Sequence, residues 1–162
     1  MQTFLPFADF AMTASVLDTK RLGNQMRENK QILTALMLNR GWVNHPATLM
    51  WRKYEWALCQ YHDALFHEWT FNRGFNSYKG VYDEFFDIYE KNRTWTESKV
   101  WPYWLGDTTF HDSHKSTLLR KKPEHYAQYF EGYDPTVEIV YPMPENEYRR
   151  LLRVIWMPKG QF

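Results

Sequence analysis

The sequence has little cysteine and no long apolar run, and both absences limit the class of protein. Its single cysteine, Cys59, cannot form an internal disulfide, which is typical of a protein from a reducing compartment. No apolar stretch is long enough to span a bilayer, and the opening MQTFLPFADF lacks the cationic and apolar regions of a signal peptide. We therefore expect a cytoplasmic protein that does not associate with membranes.

The sequence also lacks a strong charge of either sign and the common cofactor motifs. Lys and Arg number 20 against 19 Asp and Glu, so any surface that binds nucleic acid must be local. There is no Gly-rich phosphate loop, dinucleotide fingerprint, nucleophile elbow, HExxH pair or paired cysteines. We therefore expect neither a cofactor nor a metal ion.

Aromatic side chains are abundant, with 8 Trp, 11 Tyr and 11 Phe in 162 residues. This content excludes a disordered chain, and the length suits one domain with a real core. Aromatic rings fill cores, but they also stack on bases and line pockets. The sequence leaves open how many face a ligand, and we expect a monomer.

Apolar residues recur at helical spacing over most of the chain, which predicts a mainly α, compact single-domain fold. One helix is predicted from about residue 22 to residue 39. A second begins at Pro46 and carries an apolar stripe to Trp69, and a third covers about 81–91. Further helices are predicted from Asp112 or Ser113 and from Pro123.

The pattern changes after residue 130. The stretch TVEIVYP, residues 136–142, favours a strand, and ENEYRRLLRVIWMP could form a short helix or a strand. We therefore predict a helical domain over 1–130 and a short, β-containing C-terminal extension over 131–162 that packs on the same domain.

Glu28 is the acid in the stretch KRLGNQMRENKQIL. Projected at 100° per residue, it shares a row with Arg21 and Gln25 at the edge of the apolar face, and Arg27 and Gln31 lie in the next row outward. A carboxylate there is partly desolvated and close to a cation. It could act as a general base or stabilise developing positive charge, or it could form an ordinary boundary salt bridge.

Two more polar groups are candidates for substrate binding. His45 precedes a predicted helix, where it could cap the helix or meet an anion. The densest polar cluster lies over residues 111–126 and is predicted to begin a helix that contacts phosphate, although a solvated basic helix fits as well. Its candidates are His111, His114, Lys115, Arg120, Lys121, Lys122, His125 and Tyr126.

Four segments in this order resemble the pyrimidine-dimer DNA glycosylases of the endonuclease V type: LGNQMRE, NHPATLMW, EWTFNRGF and SHKSTLLRKKPEHYAQYF. It looks more closely like the bacterial and phage branch that begins MQTFLP. The resemblance runs from residue 1 to about residue 130. It implies a compact all-α enzyme of DNA repair that flips out a damaged or modified pyrimidine and cleaves its N-glycosidic bond.

The resemblance also implies roles for individual residues. Glu28 would be the catalytic acid and Arg27 a phosphate contact, while His125 and Tyr126 would lie near the lesion. In the family an α-amino group attacks the sugar and forms an imine, which gives AP-lyase activity. Because a bulky Gln2 blocks removal of the initiator Met, that amine would belong to Met1.

Three alternatives stay open from the sequence. Water activated by Glu28 could replace the amine, giving a glycosylase without lyase activity. The near-neutral charge is compatible with an N-glycosidase that acts on a modified or free nucleotide. A non-catalytic module that binds nucleotides or nucleic acid on the same fold would keep the pocket without the chemistry.

Overall fold

The computed structural model of the protein describes residues 1–94 and 99–143, and these residues form helices and loops without a β-strand. The mainly α fold expected from the periodicity is thereby confirmed. No described helix has both the length and the apolar character needed to cross a bilayer. The elements are α1 (Phe10–Val16), α2 (Thr19–Leu38), α3 (Pro46–Leu49), α4 (Glu55–His67) with a π-helical turn (Glu68–Asn72), α5 (Lys79–Asn92), α6 (Thr108–Lys121) and α7 (Pro123–Phe130).

Helix α2 packs against α3, α4 and α5 and carries much of the core. Its apolar row, which includes Leu22, Met26 and Leu33, is fully buried, as the sequence periodicity predicts. Gly23 in the same helix permits a close approach, because a Cβ there would lie 3.0 Å from the hydroxyl of Tyr78. The helix therefore has a fixed rotation, which determines where its polar row points.

A non-helical N-terminal arm, residues 1–7, crosses α2 and is largely buried. The residues that the structure describes include no strand beside it, so its backbone groups must find other partners. The Phe4 N–H donates to Gln25 Oε1 at 3.0 Å, and the Phe4 carbonyl accepts from the Tyr61 hydroxyl at 2.5 Å. Side chains of α2 and α4 thus fix the middle of the arm.

Two histidines of α6 bind the next residue of the arm. His114 Nδ1 accepts the Leu5 N–H at 3.0 Å, and His111 Nδ1 lies 2.7 Å from the Leu5 carbonyl. The second nitrogen of His111 accepts the Gly106 N–H at 2.9 Å, which makes Nδ1 the donor to Leu5. Both rings are buried and serve the arm.

Helix α6 begins five or six residues earlier than the sequence suggests. Asp107, not Asp112 or Ser113, is its N-cap, and the Asp107 carboxylate accepts the Phe110 N–H at 2.9 Å. His111 and His114 consequently lie inside the helix, where backbone amides bind carbonyls of the preceding turn. The prediction that a helix N-terminus at 112–116 contacts phosphate is therefore wrong.

The predicted second helix is broken into α3 and α4. A turn at residues 50–54 separates them, and Lys53 adopts a left-handed conformation with φ 71°. The turn buries Trp51, which stacks on Tyr61 and meets Trp104 edge-on. The apolar stripe is real, but packing of Trp51 on the arm side of the core interrupts the helix.

Residues 131–143 form no strand, so the β-favouring prediction for TVEIVYP is wrong. Side chains of α6 bind this backbone instead: Ser113 Oγ accepts the Val140 N–H at 3.0 Å, and His114 Nε2 lies 3.0 Å from the Val140 carbonyl. Arg120 donates to the Pro135 carbonyl at 2.7 Å. Trp95 and the stretch 145–158 lie outside the described residues, and the division at residue 130 stays a prediction.

Arg73, in the segment EWTFNRGF, ties the π-helical turn to the end of α1. Its guanidinium donates to the carbonyls of Leu17 and Ala14 at 2.6 and 3.2 Å and to Glu68 at 2.9 Å. These bonds satisfy carbonyls that α1 leaves unpaired at its C-terminus. Arg73 thereby fixes the short connection that delivers Asp18 to the start of α2.

His62 and His114 are fully buried, and burial lowers the pKa of each to about 3. Their environments differ. His114 has both ring nitrogens hydrogen-bonded. Neither nitrogen of His62 has a partner within residues 1–94 and 99–143, and the centre of its ring lies 3.9 Å from that of Phe85 in a stacked arrangement. An unpartnered polar ring of this kind destabilises the fold.

The free energy of unfolding should fall as the pH drops from about 6.5 towards 3. In this range His62 and His114 bind protons in the unfolded chain but stay neutral in the folded protein, so acid favours the unfolded state. Each histidine contributes a slope of up to about 1.4 kcal/mol per pH unit in this window. His62→Leu should remove the contribution of His62 to the pH dependence of the unfolding free energy. It should not lower the stability at neutral pH, since no hydrogen bond is lost. Urea unfolding across the pH range measures both effects.

His114→Leu is the matched comparison. It removes a histidine of the same burial and pKa but also two hydrogen bonds, so it should lower stability at neutral pH by about 2 kcal/mol or more. A His62→Leu variant with the wild-type slope in acid would contradict this account of the acid sensitivity.

Candidate active site

A cleft open to solvent lies between the arm and the first half of α2. It combines an aromatic wall, two cations, amide groups and one carboxylate. The lining residues are Gln2, Phe4, Lys20, Arg21, Asn24, Gln25 and Glu28. Arg21, Gln25 and Glu28, which share one row of the predicted helix, thus face one space.

Glu28 is half-buried, and one carboxylate oxygen accepts the Gln2 N–H at 2.6 Å. Burial raises the pKa of the Glu28 carboxyl above its ordinary value. The Gln2 N–H, the Met1 amino group and the Lys121 charge oppose this effect. The other carboxylate oxygen has no hydrogen-bond donor among the residues that the structure describes. Glu28 therefore presents one free oxygen on the cleft wall.

The Met1 amino group lies within electrostatic reach of both Glu28 and His45. Its positive charge partly offsets the raised pKa of Glu28 and adds to the effect of burial in lowering the pKa of His45. The Met1 sulfur accepts from the Thr48 hydroxyl at 3.4 Å, which anchors the side chain on α3. Burial is the larger reason that the pKa of His45 is lowered. His45 Nδ1 accepts the Ala47 N–H at 3.1 Å, so the capping interpretation of His45 describes its contact in the structure.

Two tyrosines lie within electrostatic reach of Glu28. Tyr61 is fully buried, and Tyr141 accepts the Thr3 N–H at 3.4 Å. Burial and the nearby Glu28 carboxylate raise the pKa of Tyr141 to about 12 and that of Tyr61 well above its ordinary value. Both phenols consequently stay protonated beside Glu28 at neutral pH.

Asp18, the N-cap residue of α2, forms a second polar centre beside the cleft. Its Oδ1 accepts from the Tyr126 hydroxyl at 2.6 Å and from Arg21 at 3.0 Å. Its Oδ2 lies 3.7 Å from Lys122 Nζ. Three of the predicted residues, Arg21, Lys122 and Tyr126, therefore meet at a carboxylate that the sequence prediction did not include.

The other predicted residues lie apart from the cleft. Lys115 binds Asp112 and the Tyr133 hydroxyl, each at 3.0 Å, and His125 Nε2 lies 2.9 Å from the Val16 carbonyl. Burial lowers the pKa of Lys115, but its two bonds prevail and raise it. His111 and His114 bind the arm, and Arg120 binds residues 135 and 137.

Arg27 and Gln31 occupy the exposed face of α2. Arg27 donates to the Tyr78 hydroxyl through Nε at 2.8 Å and through a second nitrogen, and its guanidinium lies 5.1 Å from the ring centre. Gln31 is exposed, and no protein partner is recorded for it within the described chain. These two residues are available to a ligand outside the cleft.

Sequence reasoning missed Asp18, Lys20 and Asn24. Asp18 precedes a predicted helix, and an N-cap preference could have marked it. Lys20 and Asn24 stand one turn apart in the same outward row, next to the row of Glu28. Nothing local in the sequence shows that the arm folds back to make a wall opposite them.

Among the residues that the structure describes, no three His, Cys, Asp or Glu side chains converge as metal ligands would. The polar groups that do converge are a single carboxylate, an amine, amides and cations. These are groups that hold a sugar phosphate and stabilise positive charge next to it.

The model of the pyrimidine dimer DNA glycosylase family matches residues 1–83, which is half of the chain. The chain belongs to this family. No curated protein and no solved structure matches it significantly. At the family level it is therefore a DNA-repair glycosylase. The matched region carries the arm, α2 and most of the cleft, whereas Lys121 and Tyr126 lie beyond it.

Lys121→Gln should raise the pKa of Glu28 further, because it removes a positive charge that favours the carboxylate. Lys121 is exposed, so we expect a shift of a fraction of a pH unit that shrinks as salt is added. Carbon-13 NMR of the labelled glutamate carboxyl groups measures the titration directly.

Lys20→Gln is the matched control, since Lys20 also lines the cleft but is not among the groups that act on Glu28. It should leave the titration of Glu28 in place. Equal shifts in the two variants would show that the effect is general charge removal rather than the position of Lys121.

Proposed function

We propose that the cleft is the active site of a DNA N-glycosylase that receives one flipped-out damaged or modified pyrimidine nucleotide and cleaves its N-glycosidic bond. The observation that carries the proposal is Glu28, half-buried on the wall of a cleft that the family-matched region builds. An enzyme cannot reach the target atom of a base that is stacked inside a duplex. The nucleotide must therefore leave the stack to react.

Loss of the base leaves positive charge on the sugar, and a carboxylate close to it lowers the barrier. Glu28 suits this task because its surroundings strengthen electrostatic interactions. The Gln2 N–H holds one oxygen, so the other can face the sugar without a change of rotamer. The bond between C1′ and the base nitrogen breaks, the electron pair leaves with the base, and the base takes up a proton.

Two nucleophiles are candidates for attack on C1′ of the sugar. A neutral Met1 amine would attack C1′ and lose a proton. The bond between C1′ and O4′ would then break, O4′ would take up the electron pair and a proton, and C1′ would be left as an imine. Loss of a C2′ proton and departure of the 3′ phosphate would cleave the strand. The position of the amine beside Glu28 supports this route. Alternatively, Glu28 takes a proton from water, which attacks C1′ and ends the reaction without strand cleavage.

The remaining predicted contacts fall into two groups in this proposal. Arg27, Gln31 and Lys121 are exposed and would contact the duplex around the extruded nucleotide. His45 would lie close to the Met1 amine when the substrate is bound, because the charge of that amine acts on the His45 ring. His111, His114 and His125 would support the structure, since their ring nitrogens bind backbone groups.

An N-glycosidase for free nucleotides is the second candidate, and the net charge of +1 favours it because a duplex-binding surface needs many cations. A deoxynucleoside monophosphate would then compete strongly for the site. Under the first proposal a damaged duplex binds far better than any monophosphate, so a competition assay at physiological salt separates the two.

Glu28→Gln should reduce base release at least ~100-fold, because the amide cannot offset the positive charge of the sugar. The change is conservative for the fold, since the amide oxygen can still accept the Gln2 N–H. Release of pyrimidine from an irradiated duplex, measured in single turnover, checks the prediction.

Glu84→Gln is the matched control, because Glu84 is an exposed glutamate of α5 whose recorded partner is Lys30. It should retain wild-type activity. Full activity of Glu28→Gln would remove Glu28 from the mechanism, and tight duplex binding by the wild type without turnover on any base would favour the non-catalytic module.

Borohydride trapping on irradiated and on abasic duplexes should yield a covalent adduct with the wild type, and mass spectrometry should place it on Met1. The reason is the proximity of the amine to Glu28. Acetylation of the α-amine before the assay should abolish the adduct. Base release without an adduct on either duplex would reject the amine and support the water route.

A further inference from the structure

The buried carboxylate of Asp18 has an unusual set of partners for a helix cap. It is 3% exposed, yet it makes no side-chain capping bond to its own helix. Instead, Oδ1 accepts from both Tyr126 and Arg21. Oδ2 has no hydrogen-bond partner in the described part of the chain and lies 3.7 Å from Lys122 Nζ. A buried carboxylate costs free energy, so an apolar residue would serve stability as well.

Tyr126 fixes this carboxylate from the distant helix α7. Its hydroxyl donates to Asp18 Oδ1 at 2.6 Å and accepts the Asp18 N–H at 3.1 Å, which uses the hydroxyl as donor and acceptor. The ring is fully buried, so a substrate cannot reach it. The geometry therefore assigns Tyr126 to Asp18 rather than to a lesion.

Arg21 is the member of the cluster that reaches the cleft. One nitrogen binds Asp18 at 3.0 Å, and the guanidinium carbon lies 6.0 Å from the Tyr126 ring centre. The remaining guanidinium nitrogens have no acceptor among residues 1–94 and 99–143. A guanidinium that is fixed on one edge and free on the other is suited to a phosphate oxygen pair.

The charges around Arg21 support an anion at this end of the cleft. Lys20 lines the cleft, Lys122 adjoins Asp18, and Lys121 acts on Glu28 from α6. The single buried carboxylate of Asp18 offsets one of these charges. The four cations, Arg21 included, thus outnumber the two carboxylates Asp18 and Glu28, and the local charge favours an anion.

We propose that Arg21 binds the phosphate of the nucleotide in the cleft and that Asp18 and Tyr126 are positioning residues that hold its guanidinium in the binding orientation. The ligand is a phosphodiester, a choice that rests on the proposed DNA glycosylase function. The positioning pair joins the family-matched region to α7, which lies outside it.

A double-mutant cycle of Asp18→Asn and Arg21→Gln tests the coupling by measuring binding to a labelled duplex with one tetrahydrofuran abasic analogue at several KCl concentrations. Arg21→Gln should weaken binding about ten-fold and reduce the salt slope by about one. Asp18→Asn should weaken binding several-fold. The double variant should bind no more weakly than Arg21→Gln, because Asp18 acts through Arg21.

Two further variants guard against a folding defect. Tyr126→Phe removes the hydroxyl but not the ring, and Arg21→Lys keeps the charge without the planar fork. Both should fold, as thermal unfolding can check, and both should bind more weakly than wild type. Arg40→Gln is the charge-matched control. Arg40 is exposed and follows the C-terminus of α2, which lies roughly 25 Å from Arg21 along the helix axis at 1.5 Å per residue. It should leave affinity unchanged.

Multiplicative losses in the double variant, or wild-type affinity in Arg21→Gln, would overturn the proposal. In turnover, Arg21 and Asp18 variants should raise KM and leave kcat near wild type, unlike Glu28→Gln. The two hypotheses fail separately. Full activity of Glu28→Gln would remove the proposed catalytic role of Glu28, while the binding cycle could still hold. Wild-type affinity of Arg21→Gln, together with loss of activity in Glu28→Gln, would remove the phosphate site alone.

Discussion

The burial of the N-terminal arm without a strand partner is the constraint on which the site depends. Backbone groups buried in this way must be hydrogen-bonded, and here side chains of α2, α4 and α6 provide the partners. Each bond contributes about 1 kcal/mol net, and losing one partner costs more than that. Gln25, Tyr61, His111 and His114 are therefore committed to holding residues 4 and 5 in place.

The same constraint determines the geometry of the cleft around Glu28. Gln25 and Glu28 lie almost one helical turn apart, and each binds a backbone amide of the arm. The arm consequently forms the second wall of the cleft and also holds the Glu28 carboxylate through the Gln2 N–H. The sequence left open whether Glu28 is a boundary salt bridge, with Arg21 as the natural partner. In the structure Arg21 binds Asp18 instead, and Glu28 receives a neutral N–H donor.

Helical periodicity was sufficient to predict α2, its buried face and the row that points into the cleft, because both follow from spacing within one helix. The start of α6 was not predictable in the same way, since Asp107 lies in an aromatic stretch without a period. The α3–α4 break depends on where Trp51 packs. The pairing of Asp18 with Tyr126 spans 108 positions, and no local pattern contains such information.

Local pairing, not composition, determines the sign of the charge that a ligand meets. Lysines near α5 are matched to acids, as in the pairs Lys79–Asp83, Lys91–Asp87 and Lys30–Glu84. Beside the cleft, Arg21 and Lys122 share one buried acid, Asp18. A chain with a net charge of +1 can therefore offer a concentrated positive surface to one phosphate group. Near-neutral composition argues against a long basic track along the duplex, and it leaves local recognition of one extruded nucleotide fully possible.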